Sequence, residues 1–152
     1  MSALVLDTNI VLDLFVFADP AAQPLAQALQ QGVVWGLGTT AMRDELVRVL
    51  AYPQIVKSLQ FHGIDATTVA QRWDACVRIV QAPPKAPVTC KDADDQKFID
   101  LAVVHRIPLL SKDQAVLCMA KRLAALGVEV NRCWRGSWPA GAGRSADSSA
   151  AR

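Results

Sequence analysis

The sequence predicts an α/β fold built around a mostly parallel sheet. Short apolar runs alternate along the chain with longer stretches whose apolar residues recur at helical spacing, which is typical of βα units joined into a parallel sheet. With 152 residues, the chain has the size of one ordinary domain. Hydrophobic residues make up 52% of the chain and charged residues 20%. This composition is apolar enough to fill a core and too apolar for a disordered chain.

Each element is predicted from its apolar spacing and from the residues that end it. A buried strand opens the chain, and Asp7-Thr8-Asn9 follows it with residues that cap a helix. Gly32 ends the second helix, and Tyr52-Pro53 ends the third. The predicted strands are residues 3–6, 33–37, 108–111 and 128–130; the predicted helices are residues 10–17, 23–31, 41–51, 96–105 and 113–126, with two more helical patterns between 55 and 80.

Composition also divides the chain. A Pro-rich stretch over residues 83–87 predicts a rigid extended connection. From residue 136 onward Gly, Ala and Ser dominate and no period survives. We therefore expect one domain over residues 1–135 and a disordered tail over residues 136–152.

Several classes of protein are disfavoured by the sequence. No apolar run approaches the ~20 residues that span a bilayer, and the first residues lack the basic region of a secretory signal. The four cysteines form no C-x-x-C pair and the histidines number only two, which fits neither a zinc site nor a disulfide framework. Four lone thiols suit a reducing cytoplasm, where we expect the protein to act without a membrane partner.

Three aspartates are expected at one edge of the sheet. Asp7 and Asp113 each follow a predicted strand, and Asp95 begins the helix after the Pro-rich connection. Ligands of open parallel sheets collect at the carboxyl ends of the strands, so these side chains are candidates for a shared site. A plainer interpretation stays open for each: a helix cap, or a first-turn acid that suits the helix dipole.

Glu45 is expected to face inward. With Thr40 as the cap of its helix, Glu45 lies in the second turn, beyond the capping-box position. It falls on the same apolar stripe as Met42 and Val49. An unpaired carboxylate buried there would cost on the order of several kcal/mol, so it needs a cation or a cleft. The alternatives are a solvated edge position and a local pair with Arg48.

Four acids that meet in one place repel one another unless a divalent ion offsets their charge. Oxygen ligands without His or Cys select Mg²⁺ or Mn²⁺ over zinc. Such an ion orients a water, lowers its pKa and stabilises the charge that grows on the leaving oxygen of a phosphodiester. The whole chain has a net charge of only +2, but setting four acids aside leaves 10 against 16 basic residues, which favours a polyanionic substrate.

The four acids belong to an ordered set of motifs. In chain order these are Leu6-Asp7-Thr8-Asn9, a helical Glu45, Asp92-Ala93-Asp94-Asp95-Gln96-Lys97-Phe98 and Ser111-Lys112-Asp113. Over residues 3–130 this set resembles the PIN-domain family, most strongly its bacterial branch of toxins from toxin–antitoxin pairs. The resemblance implies a three-layer α/β/α sandwich that binds Mg²⁺ or Mn²⁺ and cleaves single-stranded RNA.

The resemblance also assigns roles to individual residues. Asn9 and Ser111 match small polar residues that support the water network of the metal. The acids that would bind metal and carry catalysis fall on Asp7, Glu45, Asp95 and Asp113.

The third acid stands in a run with Asp92 and Asp94, so its register stays open. We favour Asp95 because Phe98 and Ile99 then follow at i+3 and i+4, which puts the carboxylate above the buried face of the helix.

The leading prediction is a metal-dependent endoribonuclease that acts as a toxin and is restrained by an antitoxin protein. PIN toxins commonly pair, so a homodimer is among the expected assemblies. The alternatives are a stand-alone RNA-processing nuclease and a non-catalytic PIN-like module that binds RNA or protein. A phosphohydrolase with Asp7 as nucleophile ranks lower, because it needs an acid where the chain has Asn9. Asp13, one turn after Asn9, is left outside the site.

Overall fold

Five parallel strands form the central sheet of the computed structural model, which describes residues 2–134 and 136. The strands are β1 (Ser2–Leu6), β2 (Val34–Gly38), β3 (Val77–Ile79), β4 (Leu109–Leu110) and β5 (Val130–Asn131). Their order is β3-β2-β1-β4-β5, and all four pairings are parallel. Apart from Gly136, the predicted tail over residues 136–152 lies outside the described residues.

Helices flank this sheet in an α/β/α sandwich, which confirms the predicted fold class. Helices α1 (Thr8–Phe15), α3 (Thr40–Leu50) and α5 (Ala66–Cys76) pack against one another, whereas α6 (Gln96–His105) packs on β1 and β4. Within the described ranges, no helix is long and apolar enough to cross a bilayer. The other helices are α2 (Gln23–Gln30), α4 (Pro53–His62), α7 (Gln114–Leu117) and α8 (Ala120–Ala125).

The core is centred on β1, the middle strand of the sheet, and on its neighbour β4. Val5 of β1 pairs with Leu109 of β4, and both side chains are fully buried. Phe98 and Ile99 of α6 are buried with them. Strands covered on both faces have continuous apolar sequences, as Leu4-Val5-Leu6 of β1 and Leu109-Leu110 of β4 do here.

Three details differ from the sequence-based prediction. Residues 77–79 form β3, where a helical pattern was expected to continue. The single helix expected over residues 113–126 is split into α7 and α8 at Cys118 and Met119. Thr39, rather than Thr40, caps α3 and accepts a hydrogen bond from the Met42 N–H at 3.4 Å.

The order of the strands creates a switch point between β1 and β4. From β1 the chain runs outward to β2 and β3, and then returns to the other side of β1 to form β4 and β5. The connections that leave β1 and β4 therefore diverge, and they open a crevice at the carboxyl ends of these two strands. The crevice is lined by the residues that follow Leu6 and Leu110.

Candidate metal centre

Asp7 lies at the mouth of the crevice. Its backbone N–H extends the β1–β4 pairing through a 3.0 Å hydrogen bond to the Leu110 carbonyl. Asp7 is the N-cap residue of α1, but its side chain makes no capping hydrogen bond; it accepts one of 2.6 Å from the Ser111 hydroxyl instead. The helix-cap interpretation therefore does not account for this carboxylate. Burial raises its pKa to about 6, against the opposing effect of the Ser111 hydrogen bond.

Asp113 and Ser111 form the β4 side of the crevice. Ser111 is fully buried, and its hydroxyl accepts the Asp113 N–H at 3.0 Å while donating to Asp7. Asp113 Oδ1 caps α7 by accepting the Ala115 N–H at 3.0 Å, so this residue is a helix cap in addition to being a candidate for the shared site. Asn9 Oδ1 accepts the Lys112 N–H at 3.3 Å, and this bond ties the start of α1 to the loop after β4.

Asp95 is the residue of the acidic run that turns into the crevice. Asp92 and Asp94 are exposed, and Asp92 Oδ1 accepts the Asp94 N–H at 3.0 Å in the 3-10 turn before α6. Asp95 is only 7% exposed, and its buried Oδ2 has no hydrogen-bond partner among the described residues. Burial and the nearby carboxylates of Asp113 and Asp7 raise the pKa of Asp95 well above its usual range.

The three aspartates converge on one point. Each offers a carboxylate oxygen, and these oxygens all lie within 4.8 Å of one another. Like charges so close in a buried place are unfavourable, and the unpartnered Oδ2 of Asp95 adds a desolvation cost that a bound cation would offset. The donor set therefore fits a divalent metal ion.

The chemistry of the neighbouring groups favours a hard ion. Cys90 lies near these acids. Burial raises the pKa of its thiol, and the charges of Asp95, Asp92 and Asp113 raise it further. The thiol donates to the Ala115 carbonyl oxygen at 3.4 Å, as a protonated group. The ligand atoms that remain are carboxylate oxygens, which suit Mg²⁺ or Mn²⁺ rather than zinc.

Glu45 lies beside this cluster but is not among the three converging acids. Its side chain is 15% exposed and faces inward from α3, as the apolar stripe predicts. The Thr8 hydroxyl donates to one of its oxygens, and the Lys97 ammonium pairs with the other. The cation that Glu45 was expected to need is thus supplied by the protein itself. Glu45 is still near enough to Asp7 for its charge to raise the pKa of Asp7 further.

Sequence reasoning missed the roles of Thr8 and Lys97. Thr8 follows Asp7 directly, and Lys97 lies two residues after Asp95, so both were visible inside the recognised motifs. The signal that could have found them is the inward position of Glu45, which requires a partner. Thr8 belongs to α1 and Lys97 to α6, and these helices lie beside Glu45 of α3 only in the folded chain.

Two other basic residues near the acids are also paired. Lys112 Nζ lies 2.5 Å from Oδ2 of the buried Asp13, which explains how that acid is accommodated outside the cluster. Arg43 forms a bidentate pair with Asp74, with distances of 2.7 and 2.8 Å. These pairs reduce the positive charge that Lys112 and Arg43 can offer a phosphate backbone.

The fold and the site define a class of α/β protein with a carboxylate centre at the switch point of a parallel sheet. A family model described as "PIN domain" matches residues 3–115, and the chain belongs to this family. PIN domains are generally metal-dependent nucleases. Comparisons with curated proteins and with solved structures found no match.

Proposed function

We propose that the protein is a divalent-metal-dependent endoribonuclease that cleaves single-stranded RNA. The observation that carries the proposal is the convergence of Asp7, Asp95 and Asp113, together with the buried Asp95 oxygen that has no partner among the described residues. An isolated acidic cluster would be weak support. A buried, unpartnered carboxylate oxygen inside the cluster points to a ligand that the protein's own groups do not replace.

The residues of the crevice have separate tasks in this proposal. Asp7, Asp95 and Asp113 hold the ion, which when bound lowers the pKa of a water and stabilises charge on the phosphodiester oxygens. Ser111 orients the Asp7 carboxylate by donating to its Oδ2. Asn9 holds the loop after β4 against α1 through the Lys112 N–H. Glu45 lies beside the three aspartates, near enough for its charge to act on Asp7.

An RNA cleavage assay tests the activity. The wild-type protein should cut a single-stranded RNA in the presence of Mn²⁺ or Mg²⁺ and should be inactive in EDTA. Asp95→Asn should lower the rate by at least about 100-fold, because it removes a ligand and leaves the ion less tightly held. Asp94→Asn is the matched control, since Asp94 is exposed and belongs to the same acidic run. Equal cleavage by wild type and Asp95→Asn would contradict the mechanism.

We further propose that the nuclease is the toxin of a toxin–antitoxin pair and acts in the cytoplasm. The order of its motifs, from Leu6-Asp7-Thr8-Asn9 to Ser111-Lys112-Asp113, resembles the bacterial toxin branch of PIN domains. Its four cysteines are free thiols, as a reducing compartment would keep them. Its partners would be an antitoxin protein, the RNA substrate and a second copy of the chain in a homodimer.

Expression in a bacterial host tests the toxin role. Wild-type protein should arrest growth, whereas Asp7→Asn protein made in the same amount should not. A short neighbouring gene whose product restores growth and co-purifies with the nuclease would support the antitoxin partner. Growth unaffected by an active wild-type enzyme would favour a stand-alone RNA-processing nuclease instead.

A further inference from the structure

Both oxygens of the Glu45 carboxylate are already engaged by the protein. Oε2 accepts the hydroxyl of Thr8, and Oε1 is paired with the ammonium of Lys97. The two partners of this ion pair are 15% and 25% exposed, so the pair is largely removed from water. At this depth the loss of one partner would leave the other charge uncompensated.

The ammonium of Lys97 has two more contacts besides Glu45. It donates to the Asp94 carbonyl oxygen at 2.5 Å, and it lies 5.1 Å from the centroid of the Phe98 ring. Lys97 belongs to the first turn of α6, two residues after Asp95. One short segment therefore presents a cluster acid and a fixed cation toward the same crevice.

The charges divide into two groups. Asp7, Asp95 and Asp113 each offer an oxygen within 4.8 Å of the other two, which is close enough for the three to share a single ion. Glu45, the fourth acid, is neutralised separately by Lys97. A second divalent ion beside Glu45 would have to displace an ammonium that makes three contacts.

We propose that Lys97 takes the place of a second metal ion at Glu45, so that the protein binds one divalent cation per chain. The inference rests on the proposed metal centre but concerns a different group of atoms. Lys97 acts through Glu45 and is a positioning residue: it fixes the Glu45 carboxylate beside the three aspartates and limits the site to a single ion.

Titration of the full-length protein with Mn²⁺, followed by the electron paramagnetic resonance signal of the free ion, tests the inference. Wild type should bind one Mn²⁺ per chain. Lys97→Met should bind a second, weaker Mn²⁺, because Glu45 is then available. Lys97→Arg should remain at one ion, since the cation is kept. Lys112→Met is the matched control, because Lys112 pairs with Asp13 instead, and it should also bind one.

The outcomes separate this inference from the proposed function. A wild type that binds two ions, or a folded Lys97→Met that stays at one, overturns the inference and leaves the nuclease proposal standing. A wild type that binds none overturns both. If the single variant fails to fold, Lys97→Met combined with Glu45→Gln removes the unpaired acid; that double variant should bind one ion, and two would overturn the role assigned to Glu45.

Discussion

Ser111 couples two carboxylates that come from different ends of the chain. Its hydroxyl donates to Asp7 Oδ2 at 2.6 Å, across 104 sequence positions, and accepts the backbone N–H of Asp113 at 3.0 Å. The side chain is fully buried, so no water replaces either bond directly. The geometry of the candidate centre therefore depends on a neutral residue as well as on its acids.

Replacement of Ser111 by Ala should weaken the centre. The Asp7 carboxylate loses its donor and the Asp113 N–H loses its acceptor, so we expect a loss of about 1 to 3 kcal/mol in the free energy of unfolding. Mn²⁺ affinity should fall roughly 10- to 100-fold, as is typical when a residue that orients a metal ligand is removed. Urea unfolding and Mn²⁺ titration measure the two effects.

Ser58→Ala is the control for that variant. Ser58 of α4 donates a solvent-exposed hydrogen bond to the Gln54 carbonyl, so its removal should leave Mn²⁺ affinity unchanged. An unchanged affinity in Ser111→Ala as well would show that the Ser111 hydroxyl does not orient a ligand.

The stability of the metal-free protein should fall as the pH rises from about 4 to about 6. Burial raises the folded-state pKa of Asp7 from 3.8 to about 6, so between these values the folded state holds a proton that the unfolded state has released. The stabilisation from protonated Asp7 is complete below the pKa of the unfolded state and is lost as the pH rises through the pKa of the folded state. A shift of this size corresponds to about 3 kcal/mol. Asp95, whose pKa is also raised, extends the decline to higher pH.

Urea unfolding of dialysed, metal-free protein at several pH values measures this effect. Asp7→Asn removes the ionisable group. Its free energy of unfolding should therefore increase relative to that of the wild type as the pH rises, and the variant should be the more stable of the two at pH 8. A difference between the two proteins that stays constant from pH 4.5 to pH 8 would show that Asp7 does not titrate in this range.

Metal should reverse the pH dependence. The acids must release their protons to bind an ion, so the stabilisation by Mn²⁺ should grow between pH 5.5 and pH 8. At a free concentration 100 times the dissociation constant, the gain is about 2.7 kcal/mol. Thermal unfolding with and without Mn²⁺ checks this. Asp95→Asn should lose most of the gain and Asp94→Asn should keep it; equal gains in both variants would exclude Asp95 as a ligand.

Gly38→Ala should destabilise the sheet that positions α3. A Cβ at this position would lie 2.9 Å from Val77 Cγ1 and 3.0 Å from Trp73 Cζ2, closer than the packed side chains permit. Overpacking of this kind costs about 1 to 3 kcal/mol. The Val77→Ala background removes the nearest methyl group and should reduce the penalty. A penalty of equal size in both backgrounds, measured by urea unfolding, would rule out Val77 as its source.

The sequence indicated which acids line the crevice because each is tied to a local signal. Asp7 and Asp113 follow apolar strands, and Asp95 precedes a helix whose buried face it continues. Helical periodicity also predicted that Glu45 faces inward. Its partner Lys97 is 52 positions away and depends on how α6 packs, which no local pattern encodes.

The third strand was missed for a related reason. β3 begins at Val77, directly after α5 ends at Cys76, with no glycine or proline between them. Only Val77 of its three residues is buried, so alternation gives almost no signal. The strand forms because Val77 pairs with Gly36 of β2 and packs where the glycines leave room. That space exists only after β2 is in place.

The proposed nuclease depends on a single divalent-cation site formed by Asp7, Asp95 and Asp113. Anomalous X-ray scattering from crystals grown with Mn²⁺ tests it most directly. We expect a single strong peak within coordination distance of carboxylate oxygens from all three aspartates, and no such peak in crystals of Asp95→Asn. Wild-type crystals with bound Mn²⁺ elsewhere and no peak among these three side chains would contradict it.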